Sequence, residues 1–286
     1  MSARKKPRTA RAVAANQGVQ REYAKRLQAV LRAVVRDAFL ELKDAAKLAG
    51  MAQDADEPSP IAEQAQRFVH ERFAEAQARW LVKAGMRAKE VSRWYCRQLY
   101  RTTTAAQKKA LIAAGMNKAV LDDRWTIPVL GRQHISASAA KHLDADIKAN
   151  TELITKMAAR DLGRLQDLLS ESASRGVSFS EMEGLLRASE GFDEARAKRV
   201  ALDQTNKLNQ QIQRDNARDL GITKCIWVHV PGKYTSRHTH MAMNGKTFDV
   251  NEGLFDSDVG RNVLPGELPM CRCQSRLCLP EELFND

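Results

Sequence analysis

Apolar residues recur every three or four positions along most of the first 220 residues, which predicts long amphipathic helices. The first predicted helix covers residues 16–48. Its apolar stripe consists of Tyr23, Leu27, Val30, Leu31, Val34, Ala38 and Leu42. A second helical region covers residues 61–114, with a break expected at Gly85, and a third helix covers residues 136–174.

Stretches that contain Gly and Pro separate these helices. Residues 50–60 predict a linker, and residues 125–134 predict an irregular connector. Ser178 and Glu181 have the spacing of a capping box, which predicts a short helix that ends near Ala188.

After an interruption expected at Gly191, the last predicted helix covers residues 194–220, and Gly221 stands where a left-handed residue ends a helix. Amide side chains cover much of the surface beside its apolar stripe. They are Gln204, Asn206, Asn209, Gln210, Gln211, Gln213 and Asn216. Such a face could hydrogen-bond a partner, but a solvated face is the more ordinary interpretation.

Beyond Gly221, short β-prone runs replace the helical period, at residues 224–230, 246–250 and 273–279. We therefore predict an α+β protein, with a mostly α-helical N-terminal two-thirds and a small α+β C-terminal domain of short antiparallel strands. The expected divisions are a basic flexible arm at 1–15, a helical region at 16–135 and a third region at 136–286, whose β-rich tail begins at 221.

The net charge of the chain suggests a class of binding partner. The 46 Lys and Arg exceed the 35 Asp and Glu by 11, so the surface should attract polyanions, and nucleic acid first, in a salt-dependent and sequence-independent way. No acidic residue occurs before Glu22, and five basic residues lie within the first 15 positions: Arg4, Lys5, Lys6, Arg8 and Arg11. They predict an arm that either contacts DNA or is merely a solvated tail. Neither a signal-peptide core nor an apolar run of membrane length is found, so we expect synthesis in the cytosol and no membrane partner.

Cysteine and histidine suggest a metal site in the tail. Five cysteines form an odd set, which in a reducing compartment does not indicate a disulfide framework. His238-x-His240 is followed by Cys271-x-Cys273, and in an extended strand residues two apart face the same side. Two imidazoles and two thiolates suit tetrahedral Zn²⁺, although structural zinc sites more often have longer spacings within each pair. The alternative is that His240 is a hydrogen-bonded turn residue and the two cysteines are small buried apolar residues.

A metal-dependent nuclease of the His-Asn type is a second candidate function. In it, His240 would activate water near Asn244, and Asp256 or Asp258 would bind the cation. Such a site usually needs a later His or an acidic ligand on a following helix. No His follows His240, and the tail is rich in Gly and Pro, which argues against that helix.

The stretch RVALDQTNKLNQQIQRDNARDLGITKCIWVHVPGKYTSRHTHMAMNGKTF, followed by EGLFDSDVGRNVLPGELPMCRC, resembles the phage Mu F-like minor head (head morphogenesis) family. The hallmarks that carry the resemblance are Gly221, Trp227, Arg237 with His240, Gly245 with Phe248, and Cys271, Arg272 and Cys273. His238 is not among them. With a weaker likeness upstream, the resemblance covers residues 140–286.

The resemblance implies a structural protein inside the prohead, at or near the portal vertex and in few copies, without catalysis. The implied partners are the portal and capsid proteins and non-specifically contacted double-stranded DNA, and the implied location is the virion after assembly in the host cytoplasm. We expect the long helices, including those of the helical region at 16–135, to dock on portal or capsid subunits through their apolar stripes. Two further alternatives are a toxin fusion, which the lack of a phosphate loop or a strand-rich catalytic pattern in the helical first half disfavours, and a DNA-binding or scaffold protein outside the virion.

Overall fold

A computed structural model describes residues 8–48, 61–175, 179–231 and 236–284. The protein is 67% helical, with small antiparallel sheets towards its C-terminus, which confirms the predicted α+β class. The helices are α1 (Gln17–Leu48), α2 (Ile61–Ala113), α3 (Lys118–Arg124), α4 (Ala137–Ser174), α5 (Phe179–Asp219) and α6 (His238–Ala242). The strands are β1 (Ile127–Leu130), β2 (Gln133–Ile135), β3 (Lys224–Val228), β4 (Thr247–Asp249), β5 (Leu254–Asp256), β6 (Arg261–Val263) and β7 (Gln274–Leu277), and a 3-10 helix covers Glu281–Phe284.

Helix α2 continues through Gly85, so the break expected there is wrong. A glycine inside a helix costs only about 1 kcal/mol relative to alanine. Ala84 and Ala88, on either side of it, are fully buried, and their packing holds the helical backbone. The ends of α1 and α4 agree with the prediction to within a residue. None of the helices in the described ranges has the length and apolarity needed to cross a membrane.

Helix α5 is one element of 41 residues, and the short helix with an interruption at Gly191 is therefore also wrong. The sequence of α5 contains no proline, and its glycines alone do not end a helix. Ser178 and the predicted linker at 50–60 lie outside the described residues. The predicted end is confirmed: Gly221 has φ +70°, its N–H donates to Arg218 O, and the Ile222 N–H donates to Ala217 O.

The expected connector at residues 125–134 contains more structure than predicted. Asn117 caps α3 by accepting a hydrogen bond from the Ala119 N–H. Strands β1 and β2 then form an antiparallel hairpin, whose turn contains Gly131 at φ +61°. The chain thus reaches α4 through a helix and a hairpin rather than through an irregular segment.

The chain divides into two compact units. The helical unit comprises Glu22–Arg93 and Ile147–Arg199, and its described part contains no strand. All seven residues of the stripe predicted for α1 are buried in it. On α2, Phe73 packs edge-on against Trp80, with ring centroids 5.1 Å apart, and Trp80 Nε1 donates to Glu41.

The mixed unit comprises Met1–Arg21, Trp94–Asp146 and Val200–Asp286. Its three-stranded sheet has the order β4-β3-β7, with both pairs antiparallel, and β5 and β6 form a separate hairpin. Trp227 on β3 is fully buried against Phe248, with ring centroids 5.8 Å apart. The core around this sheet also includes Leu111 of α2 and Leu220 beyond α5.

The N-terminal segment corrects the flexible arm expected at residues 1–15, as far as the structure describes it. Thr9 pairs with Cys278 beside the end of β7, the Ala10 N–H donates to Leu277 O, and the Leu279 N–H donates to Arg8 O. Ala10 and Val13 are buried in the core of the mixed unit. Residues from Arg8 onward are therefore part of the fold, while Arg4, Lys5 and Lys6 lie outside the described residues.

Candidate metal-binding site

His240, Cys271 and Cys273 converge in the mixed unit, and we call these three residues the His–Cys cluster. His240 lies on the short helix α6, and the two cysteines lie immediately before β7. All three side chains are buried, and their ligand atoms lie within 4.8 Å of one another. Cys271 Sγ is 3.4 Å from His240 Nδ1, and Cys273 Sγ is 3.7 Å from the same atom.

The second ring nitrogen of His240 lies beside a carboxyl group. His240 Nε2 lies 3.1 Å from Asp256 Oδ2, and Asp256 is fully buried at the end of β5. The Asp258 N–H donates to the second carboxylate oxygen of Asp256. Trp227 packs edge-on against the ring of His240, with centroids 5.2 Å apart. The orientation of the imidazole is therefore fixed by a charge on one side and an aromatic ring beside it.

Hydrogen bonding gives the two thiols different acidities. The hydrogen bond from the Cys273 thiol lowers the pKa of Cys271 against the opposing effect of burial, and His240 adds to the lowering. The same bond, together with burial, raises the pKa of Cys273. Burial alone would lower the pKa of His240, but the hydrogen bond and charge of Cys271 and the charge of Asp256 outweigh it and raise that pKa. The cluster therefore favours an anionic sulfur beside an imidazole.

Two kinds of chemistry use such groups. The arrangement is that of a thiol nucleophile, its base and an orienting acid, which would be Cys271, His240 and Asp256 respectively. A nucleophile must meet its substrate, however, and Cys271 is only 4% exposed. A second thiol within the same buried group is what a soft metal ion requires. The arrangement is thus better suited to holding a metal than to attacking a substrate.

The nuclease alternative fits this geometry poorly. His240 is 2% exposed, and both of its ring nitrogens face protein groups, so neither faces water. Asn244 accepts a hydrogen bond from the His229 N–H instead of facing His240. Asp256 is fully buried against the same imidazole, which leaves no open cation position between them.

The structure brings together three of the four residues in the predicted zinc set. His238 is exposed on α6, and it stands outside the cluster because residues two apart on a helix point to different sides. Arg237 occupies the N-cap position of α6 without a side-chain capping bond, and its Nη2 donates to Pro269 O. The Gly245 N–H donates to Trp227 O at a φ of +80°, which closes the loop between α6 and β4.

Sequence reasoning missed two groups beside the cluster. Asp256 appeared only as a nuclease cation ligand, although it supports His240. His229, at the end of β3, places Nδ1 3.6 Å from Cys273 Sγ. No repeated spacing connects His229 to the cysteines, but its position two residues after the buried Trp227 on β3 could have suggested it.

The backbone before the cluster also has a support that the sequence did not reveal. Met270 has φ +60°, which is unfavourable for a residue with a side chain. Its N–H donates to Asp203 on α5, over 2.6 Å. Gly266 approaches α5 so closely that a Cβ there would lie 2.8 Å from Gln210 Cγ. These contacts fix the segment that carries Cys271 against α5.

The amide-rich face of α5 is buried, so the solvated interpretation is wrong for its central residues. Asn209, Gln210, Gln213 and Asn216 are at most 2% exposed. Asn209 and Gln213 both donate to Val13 O, and the Ser275 N–H donates to Gln210. Asn216 donates to two side chains of α2, Thr104 and Gln107. We call these bonded side chains the amide network.

The tail and the region before it resemble known proteins. A family model described as "Phage Mu protein F like protein" matches residues 163–276, which include all of α5, strands β3 to β6 and all three cluster residues. An uncharacterized protein of Haemophilus influenzae is 24% identical over 138 residues, which are 48% of this chain and 30% of that protein. The chain thus spans less than a third of the length of this curated relative. No solved structure gave a significant match.

Proposed function

We propose, from the match of residues 163–276 to the Phage Mu F-like family model, that the protein is a minor head protein of a tailed bacteriophage, with a structural role in head morphogenesis. The observation that carries the proposal is the family match itself. The matched range includes both the helix that supports the tail and the buried cluster within it. A buried cluster of this kind fits a structural role better than catalysis.

The proposed place of action is the inside of the head near the portal vertex, in few copies, with the portal and capsid proteins as partners. The apolar stripe of α1 is not available for these contacts, because its residues form the core of the helical unit. Docking through that stripe, which the sequence suggested for the long helices, is therefore withdrawn. Other surfaces must meet the partners.

Contact with packaged DNA is the second part of the proposal. Arg8 and Arg11 are exposed on the ordered N-terminal segment, and the guanidinium of Arg8 lies 4.5 Å from the centroid of the Phe284 ring. Together with the net charge of +11, they support phosphate neutralisation without base reading. The ordered backbone reduces the entropy lost when these arginines bind.

The DNA contact can be tested by replacing charges. The double variant Arg8→Gln/Arg11→Gln should reduce the slope of log K against log salt by about 2, since each phosphate contact contributes about 0.9. The matched control is Lys83→Gln/Lys89→Gln, which removes two exposed charges from the helical unit. Equal slopes for the two variants in fluorescence-anisotropy titrations of duplex DNA would contradict a specific role for Arg8 and Arg11.

The head role can be tested by interrupting the gene in its phage with a stop codon. We expect a large loss of infectious particles, restored when the intact chain is supplied from a plasmid. Electron microscopy of lysates should show defective or empty heads beside normal tails. A normal yield of filled, infectious heads without the protein would contradict the proposal.

A further inference from the structure

A metal ion fits the buried cluster, and we propose that His229, His240, Cys271 and Cys273 bind one Zn²⁺ as a structural site of the C-terminal domain. His229 takes the place that His238 has in the sequence pattern. The proposal does not depend on the role in head assembly, because it follows from these side chains alone.

Spacing is the first argument. In a tetrahedral site with Zn–S of about 2.3 Å and Zn–N of about 2.0–2.1 Å, each sulfur stands about 3.6 Å from each nitrogen. The distances from Cys271 Sγ and Cys273 Sγ to His240 Nδ1 are 3.4 and 3.7 Å, and Cys273 Sγ lies 3.6 Å from His229 Nδ1. His240, Cys271 and Cys273 therefore already stand at the separations of zinc ligands, with ligand atoms all within 4.8 Å of one another. His229 would add the fourth ligand from the side of Cys273.

The partner of His240 is the second argument. Histidines that bind metals almost always donate their other ring N–H to a carboxylate, a carbonyl or water. Here Nδ1 faces the sulfurs while Nε2 faces the fully buried carboxylate of Asp256. On the other ligand, Asn244 accepts the backbone N–H of His229 and so fixes the end of β3.

The surroundings of the sulfurs are the third argument. Backbone N–H groups of Gly266 and Cys273 face the sulfur of Cys271. The backbone N–H of Val230 and the indole N–H of Trp227 face the sulfur of Cys273. Trp227 Nε1 is buried and has no conventional acceptor among the described residues. In a zinc site these N–H groups would hydrogen-bond the two ligating sulfurs, and the ion would neutralise the charge of the thiolates.

The ion would join three segments that are distant in sequence: the end of β3, helix α6 and the strand entry before β7. The strands of this region contain only three to five residues each. Short strands bury little apolar surface, so an ion that closes the chain between His229 and Cys273 contributes stability directly.

The test uses the full chain, purified without added metal and without a histidine tag. Elemental analysis should find one zinc per chain, and Co²⁺ exchanged for it should give the visible d–d bands of a tetrahedral site with thiolate ligands. Cys273→Ser and His229→Ala should each weaken zinc binding by more than about 100-fold, a larger loss than the 10–100-fold typical of outer hydrogen-bond partners. Asp256→Asn should fall within that 10–100-fold range. His238→Ala is the matched control and should retain one zinc.

Three results would overturn the proposal. A wild-type chain that is folded by circular dichroism yet binds neither zinc nor Co²⁺ would exclude the site. An unchanged Co²⁺ spectrum in His229→Ala would exclude the assigned set of ligands. Equal iodoacetamide labelling of Cys271 with and without zinc would show a reactive thiol instead of a ligand. Because Co²⁺ titration of the wild type reports the ligands directly, the test remains valid where a variant does not fold.

Discussion

Both units of the chain contain long helical segments, but they bury different kinds of side chain. Of the buried polar residues in the described part of the chain, the helical unit contains only Ser92, Asn150, Asp161 and Ser172. The mixed unit contains thirteen, including the amide network, His240 and Asp256. Apolar packing therefore dominates the helical unit, whereas the mixed unit depends additionally on hydrogen bonds among its buried polar side chains.

The largest expected effect tests whether the N-terminal segment belongs to the mixed unit. Deleting residues 1–13 removes the buried Val13, the backbone bonds to Leu277 and Leu279, and the acceptor of Asn209 and Gln213. We expect a loss of about 4 kcal/mol in the free energy of unfolding, measured by urea denaturation. Deleting residues 1–7 is the control and should leave stability unchanged. Equal stability of both truncations would show that the segment is not part of the core.

Apolar truncation should not distinguish the units. Leu111→Ala in the mixed unit and Leu27→Ala in the helical unit each remove a fully buried leucine. Each should cost about 3 kcal/mol, since such substitutions typically cost 2–5 kcal/mol. A loss below about 1 kcal/mol at Leu111 would show that the mixed unit has no well-packed apolar core of its own.

Amide substitution should distinguish them. Asn216→Leu leaves Thr104 and Gln107 of the network without their shared donor, so we expect a loss of about 2–6 kcal/mol, at about 1–3 kcal/mol for each affected group. In the helical unit, Asn150→Leu removes one hydrogen-bond partner of the Tyr23 hydroxyl and should cost about 1 kcal/mol. Thermal melts of the two variants provide the measurement. Equal shifts would contradict a cooperative amide network.

Glycine substitution should have opposite signs in the two units. Gly85→Ala lies within α2, where a Cβ would meet nothing nearer than 3.9 Å, so it should stabilise the protein by about 1 kcal/mol. Gly266→Ala has φ +78° and would bring a Cβ within 2.8 Å of Gln210 Cγ, so it should destabilise by about 1 kcal/mol or more. Differential scanning calorimetry resolves the two signs. A stabilising Gly266→Ala would mean that the loop before Cys271 does not pack closely on α5.

The same difference explains what the sequence could predict. The helical unit obeys a simple period, so the apolar stripe of α1 identifies its core directly. Glycine was given too much weight as a helix breaker, because Gly85 and Gly191 both lie within continuous helices. In the mixed unit, the three short β-prone runs that contain β3, β4 and β7 were predictable, but the β1–β2 and β5–β6 hairpins gave no periodic signal.

The site was predictable only in part, for a geometric reason. Cys271 and Cys273 both lie against His240, as their spacing in the sequence suggested. The same rule failed for His238 and His240, because they lie on a helix rather than a strand. The contributions of His229 and Asp256 arise from chain segments that meet only in the folded domain.

Quantitative mass spectrometry of purified phage particles tests the central proposal most directly. The account predicts that peptides of this chain are present in the heads, in far fewer copies than the major capsid protein, and that they remain after washing at high salt. Particles that are complete and infectious but contain none of this chain would contradict it.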